Sequence, residues 1–126
     1  MANELILIVE DNEQNQKLAG DLLRFKGFRV MVAETAEIGI PVALKEKPDL
    51  VLMDIHLPGM NGIEALAKLR ADPKTRSIPV FAFTASVMPQ DRREITSAGF
   101  DGFLSKPINL KEFLETIEAA MAAKRP

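Results

Sequence analysis

Five short, largely apolar runs alternate along the chain with longer stretches in which polar residues are frequent. A run of this kind is typical of a strand that is buried on both faces. The pattern predicts strands over Leu5–Val9, Phe28–Ala33, Leu50–Met53, Val80–Phe83 and Gly102–Ser105. Because a helical pattern follows each run, the chain is predicted to form an α/β fold, with one doubly wound five-stranded parallel sheet and five helices.

Capping signals mark the helices between these runs. A side-chain oxygen just before a helix accepts hydrogen bonds from its first free N–H groups, and a glutamate three residues later strengthens the signal. Helix starts of this type are expected at Thr35, at Asn61 with Glu64, and at Asn109 with Glu112. The helix after Thr35 contains Pro41, which lacks a backbone donor, so a kink or a late start is expected there.

Apolar residues spaced three and four apart indicate which helix faces turn towards the sheet. The predicted inward residues are Leu18, Ala19, Leu22 and Leu23 in the first helix, Ile63, Leu66 and Ala67 in the third, and Leu110, Phe113, Leu114, Ile117 and Met121 in the fifth.

Functional side chains follow four of the five predicted strands. Glu10 and Asp11 come after the first strand, Asp54 after the third, Thr84 after the fourth and Lys106 after the fifth. Because the carboxyl ends of parallel strands lie along one edge of a sheet, these side chains are expected to meet there. Three carboxylates at a site from which water is excluded repel one another unless a cation neutralises them. Oxygen ligands favour a hard ion such as Mg²⁺. A lysine and a hydroxyl beside that ion suit a phosphoryl group.

Composition and charge narrow the class of protein further. The 126 residues predict one domain, and a net charge of −2 without long runs of either sign indicates no nucleic acid and no membrane as partner. The chain has no cysteine, which excludes disulfides and thiolate metal sites. Leu5–Val9 is too short for a signal core or a membrane span, so a cytoplasmic location is expected.

Four motifs together resemble the receiver domain of two-component response regulators over essentially the whole chain. They are Val9–Asn12, Leu52–Gly62, Phe83–Ala85 and Ser105–Ile108, and each lies at the end of an apolar run. The resemblance implies a flavodoxin-like sheet of order 2-1-3-4-5. We expect residues 1–126 to form a single-domain regulator without an output domain, present as a monomer or weak dimer.

By this resemblance, Asp54 is the phosphoacceptor. It would receive a phosphoryl group from a phosphohistidine on a sensor histidine kinase or a histidine phosphotransfer protein. The cofactor implied is Mg²⁺ (or Mn²⁺), with Asp11, Asp54 and the backbone carbonyl of His56 as ligands and Glu10 acting through a bound water. The side chain of His56 would adjust how readily water reaches the phosphoryl group.

The resemblance also implies a switch. Lys106 would pair with the phosphoryl oxygens, and the Thr84 hydroxyl and Ala85 N–H would donate to one of them. Movement of Thr84 would let the ring of Phe103 turn inward, with Pro107 completing the switch segment. The surface of the fourth helix, fifth strand and fifth helix would then bind a downstream protein target.

Other functions remain open at this point. A Mg²⁺-dependent phosphohydrolase of the haloacid-dehalogenase type also uses an aspartyl phosphate, but it needs a second acid where His56 stands. A flavodoxin-like small-molecule binder would place phosphate-binding Ser, Thr or Gly residues after the first strand, where Glu10 and Asp11 lie instead. A passive receiver-like interaction module is the third alternative. The switch protein, which promotes only its own phosphorylation and dephosphorylation and is not otherwise an enzyme, is the leading hypothesis.

Overall fold

The computed structural model describes residues 4–84, 89–106 and 108–124, which form five strands and five helices in alternation. The strands are β1 (Leu5–Val9), β2 (Arg29–Ala33), β3 (Leu50–Asp54), β4 (Val80–Thr84) and β5 (Gly102–Ser105). The helices are α1 (Glu13–Phe25), α2 (Ala36–Glu46), α3 (Gly62–Ala71), α4 (Pro89–Ala98) and α5 (Leu110–Lys124). All five predicted strands are confirmed within one residue at each end. None of the described helices combines the length and the apolar character needed to span a bilayer.

The strands form one parallel sheet in the order β2-β1-β3-β4-β5, as expected. Its register sets the carboxyl ends of four strands side by side. The last residue of β1 pairs with Met53, Asp54 pairs with Phe83, and Thr84 pairs with Ser105. The residues that follow these strands therefore begin along one edge of the sheet.

The core has two layers, one on each face of the sheet. Alternate side chains of a strand point to opposite faces, so Ile6 and Ile8 pack with α1 and α5, whereas Leu7 and Val9 pack with α2, α3 and α4. The strands β1 and β3 are buried along their whole length. Burial on both faces explains why these two strands are continuous apolar runs in the sequence.

The capping residues expected from the sequence start their helices. The Thr35 hydroxyl accepts a hydrogen bond from the N–H of the third residue of α2, at 3.1 Å. Asn61 and Glu64 form the complete reciprocal capping box of α3, with bonds of 2.9 and 3.0 Å. The Asn109 side chain accepts from the Glu112 N–H at 3.0 Å at the start of α5.

The late start considered at Pro41 does not occur, because α2 runs without interruption from Ala36 to Glu46. Gly39 allows the backbone of this helix to lie close to the sheet. A Cβ atom on Gly39 would lie 2.9 Å from Cγ2 of Val9, so the helix backbone packs directly against the sheet. Burial of this close-packed face compensates for the one helical hydrogen bond that the proline cannot donate.

Three residues predicted to face inward are exposed instead: Leu18, Ala67 and Leu110. Leu18 is 46% exposed and Leu110 is 55% exposed. In α3 the buried stripe runs through Ala65, Leu66 and Leu69, and therefore lies on a slightly different face from the predicted one. Residues at the border of an apolar stripe are buried only where a neighbouring element covers them, and helical spacing alone does not specify that neighbour.

Candidate functional site

The first acidic residue is built into the end of β1. Glu10 is fully buried, and its N–H donates to the carbonyl of Ala33 at 3.0 Å, which extends the β1–β2 ladder by one residue. Its Oε2 accepts from the Asn12 N–H at 2.9 Å, and Asn12 is also the N-cap of α1. The turn that starts α1 thus holds Glu10 inward and leaves Asp11 exposed at the edge of the sheet.

The phosphoacceptor candidate Asp54 is the last residue of β3 and only 4% exposed. Its Oδ1 accepts from the backbone N–H of His56 at 2.9 Å, while the His56 side chain is exposed. Gly62 closes the loop that follows, since its N–H donates to the Ile55 carbonyl at 3.0 Å. A Cβ atom on Gly62 would lie 2.6 Å from the carbonyl oxygen of Asp54, so a glycine is required where α3 begins.

Lys106 reaches across the site from the end of β5. Its backbone N–H donates to the Thr84 carbonyl at 2.9 Å, which continues the β4–β5 ladder. Its Nζ lies 3.0 Å from Oδ2 of Asp54, with which it forms a hydrogen-bonded ion pair, and 2.5 Å from Oε1 of Glu10. The contact with Glu10 is an ion pair without hydrogen-bond alignment, because Oε1 has no donor in hydrogen-bonding geometry among the described residues. The ammonium also lies over the ring of Phe83, 4.9 Å from its centroid.

We call Glu10, Asp11 and Asp54 the acidic cluster. Each contributes a carboxylate oxygen, and these oxygens all lie within 4.8 Å of one another. Oxygen ligands without sulfur or imidazole match a hard divalent ion, and Mg²⁺ commonly binds to one or two carboxylates together with water. Among the described residues, Lys106 is the cation paired with this cluster, and it contacts two of the three carboxylates, so the charge at this edge also favours a bound cation. The acidic cluster therefore has suitable ligands for Mg²⁺.

The surroundings of the site shift the pKa values of Glu10 and Lys106. Burial raises the pKa of the Glu10 carboxyl above its ordinary value, and the charge of Asp54 adds to the rise, against the opposing effects of Lys106 and the Asn12 N–H. Burial alone would lower the pKa of Lys106. Its contacts with Glu10 and Asp54, together with their negative charges, outweigh burial, so the pKa of Lys106 is raised. Lys106 therefore stays positively charged at physiological pH.

The residues expected to form a switch lie next to this site. Thr84 is fully buried at the end of β4, and Phe103 is half-buried in β5, where it pairs with Ala82. The guanidinium carbon of Arg92 in α4 lies 5.0 Å from the centroid of the Phe103 ring. Ala85 and Pro107, the other two residues assigned to the switch, lie outside the described residues.

Two residues close to the site were not assigned a specific role from the sequence. In the sequence Gly62 is only the last residue of the Leu52–Gly62 motif, although its close approach to the Asp54 backbone makes it necessary where it stands. Gln16 donates from Nε2 to the Glu10 carbonyl at 2.5 Å. An Asn-Gly pair at a helix start could have pointed to Gly62, but a glutamine on a polar helix carries no comparable sequence signal.

Comparison with known proteins gives the family. The profile of the response regulator receiver domain matches residues 6–118. The polar-differentiation response regulator DivK of Brucella anthropi is 40% identical over 114 residues, which cover 90% of this chain and 93% of that protein.

Solved structures agree with the sequence comparison. A putative response regulator from Chloroflexus aurantiacus has a TM-score of 0.90 and 26% identity, covering 95% of this chain and 98% of that one. The receiver domain of the sensor histidine kinase PA1611 from Pseudomonas aeruginosa has a TM-score of 0.88 and 31% identity, covering 96% of this chain and 99% of that one; its structure contains a magnesium ion coordinated in the active site cleft. The fold, the acidic cluster and these relatives together show that the chain belongs to the response regulator receiver domains, the signalling modules of two-component systems.

Proposed function

We propose that this chain is a phosphorylation-dependent switch protein whose phosphoacceptor is Asp54. The observation that carries the proposal is the environment of that carboxylate. It is buried at the end of a central strand, Oδ1 accepts from the His56 N–H, Oδ2 pairs with Lys106, and Glu10 and Asp11 lie alongside. A phosphoryl group attached there would be surrounded by groups that bind its oxygens directly or through a metal ion.

The chemical step is a transfer from a phosphohistidine. A carboxylate oxygen of Asp54 forms a bond to phosphorus as the P–N bond of the donor breaks. The bonding electron pair stays with the imidazole nitrogen, which then takes a proton from water, and the product is an acyl phosphate. Phosphoryl transfer depends mainly on positioning and on neutralising negative charge, so the protein needs no further nucleophile.

The residues of the acidic cluster would hold Mg²⁺ or Mn²⁺, together with the backbone carbonyl of His56. The ion would neutralise the phosphoryl oxygens and orient them towards Asp54. Its presence in the related receiver domain from Pseudomonas aeruginosa supports this assignment. Lys106 lies between Glu10 and Asp54 and partly balances their charge.

The output of phosphorylation would be a rearranged surface rather than a released product. Lys106 and the Thr84 hydroxyl would each bind a phosphoryl oxygen, with the Ala85 N–H beside them. Phe103 would turn inward as Thr84 moves, which changes the surface formed by α4, β5 and α5. We propose that a downstream protein target binds this surface, and that the phosphoryl donor is a sensor histidine kinase or a histidine phosphotransfer protein.

Incubation with acetyl phosphate and Mg²⁺ tests the proposal directly. Intact-mass spectrometry should show one added phosphoryl group on the wild type and none on Asp54→Asn, since the amide is not a nucleophile for phosphorus. Asp101→Asn is the matched control, because Asp101 is a half-exposed carboxylate at the opposite end of the strands, and it should be labelled like the wild type. Equal labelling of Asp54→Asn and the wild type would refute Asp54 as the phosphoacceptor. Sustained hydrolysis of an aryl phosphate by the wild type would point instead to a phosphohydrolase.

A further inference from the structure

A glutamine on α1 holds the backbone that carries the acidic cluster. Gln16 lies on the first turn of α1, where its own N–H donates to the Asn12 carbonyl at 3.0 Å. Its side chain is half-buried and turns back to the strand, so that Nε2 donates to the Glu10 carbonyl at 2.5 Å. A helix side chain thus bonds the peptide group that joins Glu10 to Asp11.

The two peptide groups that flank Glu10 are held differently: the sheet holds the one before Glu10, and Gln16 bonds the one between Glu10 and Asp11. The Glu10 N–H is bonded to the Ala33 carbonyl, and the Glu10 side chain is bonded to the Asn12 N–H and paired with Lys106. The Glu10 carbonyl lies just past the end of β1 and receives its donor from Gln16. A buried carbonyl without a donor is costly, so removal of this amide favours a rotated peptide or an inserted water.

Asp11 depends on this peptide group more than Glu10 does. Within the described part of the chain, the Asp11 carboxylate has no hydrogen bond or ion pair, and the side chain is exposed. No contact of its own within the described residues restrains this side chain, so its position relative to Glu10 and Asp54 follows the backbone that carries it. Residues that orient metal ligands without touching the metal typically change metal affinity when they are altered.

We propose that Gln16 is a positioning residue for the divalent cation site, because it orients the Glu10–Asp11 peptide and, through it, the Asp11 carboxylate. This inference rests on the proposed function, since it concerns the metal ion that phosphorylation of Asp54 requires. It also extends that function, because it assigns part of the metal affinity to a residue on α1 outside the acidic cluster.

The test is Gln16→Met, which keeps the length of the side chain and removes its donor. Gln14→Met is the matched control, since Gln14 is an exposed glutamine on the same turn of α1. Titration calorimetry of Mg²⁺ into metal-free protein should show affinity about tenfold weaker in Gln16→Met and wild-type affinity in Gln14→Met. Hydrogen exchange of the metal-free proteins should be faster at the Asp11 and Asn12 amides in Gln16→Met alone.

Phosphorylation by acetyl phosphate provides a second measurement. The Mg²⁺ concentration for half-maximal rate should rise in Gln16→Met, while the rate at saturating Mg²⁺ stays close to that of the wild type. A purely structural role would not separate these two quantities in this way. Gln16→Asn, whose amide is too short to reach the carbonyl, should behave in the same way if the methionine variant does not fold.

The outcomes distinguish this inference from the proposed function. Equal Mg²⁺ affinity in the wild type and a folded Gln16 variant would overturn the role of Gln16 and leave the proposed function intact. Equal weakening by Gln14→Met would also overturn it, since the effect would then belong to the helix in general. Absence of Mg²⁺ binding by the wild type would overturn both.

Discussion

Two charged sites lie at opposite ends of the same strands and differ in how their charges are balanced. At the carboxyl ends, the acidic cluster faces Lys106. At the amino ends, near the start of β4, Arg70 pairs with Asp101 at 2.8 Å, and we call this pair the Arg70 junction. Both sites contain close ion pairs, so ion pairing alone does not show which of them has a function beyond stability.

The Arg70 junction is a balanced structural contact. Arg70 donates from Nη1 to the carbonyls of Ile78 at 2.6 Å and Arg76 at 3.1 Å, and Asp101 accepts from the Val80 N–H at 2.8 Å. One cation meets one carboxylate, both are partly exposed, and both bond to the backbone. The junction ties the loop before β4 to the loop before β5.

The acidic cluster has an excess of negative charge, and two of its carboxylates are more deeply buried than the side chains of the Arg70 junction. Glu10 is fully buried and Asp54 nearly so, yet Lys106 is shared between them and Asp11 adds a third carboxylate. Such an arrangement is costly unless a further cation binds, because buried like charges repel in a medium of low dielectric. Unequal charge at buried positions, rather than the presence of an ion pair, therefore distinguishes the acidic cluster from the Arg70 junction, and it is for the acidic cluster that we propose metal binding and phosphorylation.

The largest effect is expected from Lys106→Met. Loss of the ammonium leaves Glu10 and Asp54 without their shared cation, and removal of one partner of a buried pair costs about 3 kcal/mol. The free energy of unfolding should fall by about this amount in EDTA, and saturating Mg²⁺ should restore much of it. Urea unfolding with EDTA and with Mg²⁺ measures both values.

Lys111→Met serves as the control for that experiment, because Lys111 is an exposed lysine at the start of α5. It should unfold like the wild type under both conditions. The Lys106 variant should still accept a phosphoryl group, but phosphorylation should no longer change its binding to a partner. Wild-type stability of Lys106→Met in EDTA would mean that the acidic cluster does not need the lysine for charge balance.

A smaller effect is expected from Arg70→Ala, and on stability alone. The substitution leaves the Ile78 carbonyl without its donor and Asp101 without its cation, although the Val80 N–H still bonds Asp101, at a cost of about 2 kcal/mol in the free energy of unfolding. Phosphorylation of the folded protein should be unchanged, and Mg²⁺ should stabilise this variant as much as the wild type. Lys68→Ala, an exposed position on the same helix, should have little effect on either measurement. Slower phosphorylation of folded Arg70→Ala would show that the two ends of the sheet are coupled.

The smallest effect is expected from Arg92→Ala, which removes the cation over the Phe103 ring. A cation–π contact at an exposed site contributes about 0.5–1 kcal/mol, so phosphorylation itself should not change. The Phe103 ring should become more mobile, as seen in the ¹⁹F spectrum of protein labelled with fluorophenylalanine. The signal of Phe103 is identified as the one that disappears in Phe103→Leu. Arg93→Ala is the matched control, because Arg93 is an exposed arginine on the same helix, and it should leave the Phe103 signal unchanged. An unchanged Phe103 signal in Arg92→Ala would exclude this contact as a restraint on the ring.

Much of the fold and the composition of the site could be predicted from the sequence, because the relevant signals are local. The apolar runs of β1 and β3, the capping box of Asn61 and Glu64 and the alternation of strands and helices each depend on nearby residues. The position of Asp54 directly after a buried run was equally visible. The predicted borders of the helix faces were wrong at Leu18 and Leu110, which are exposed because none of the described elements covers them.

The sequence by itself determined which side chains lie at the end of each strand, since each strand ends within one residue of its apolar run. Only the tertiary structure decided the distances between them: the shared position of Lys106 between Glu10 and Asp54, the approach of Gly62 to the Asp54 backbone, and the bond from Gln16 to the Glu10 carbonyl. Such contacts depend on strand order, register and the distance of each helix from the sheet. These are set by packing between segments far apart in the chain, so no local pattern specifies them.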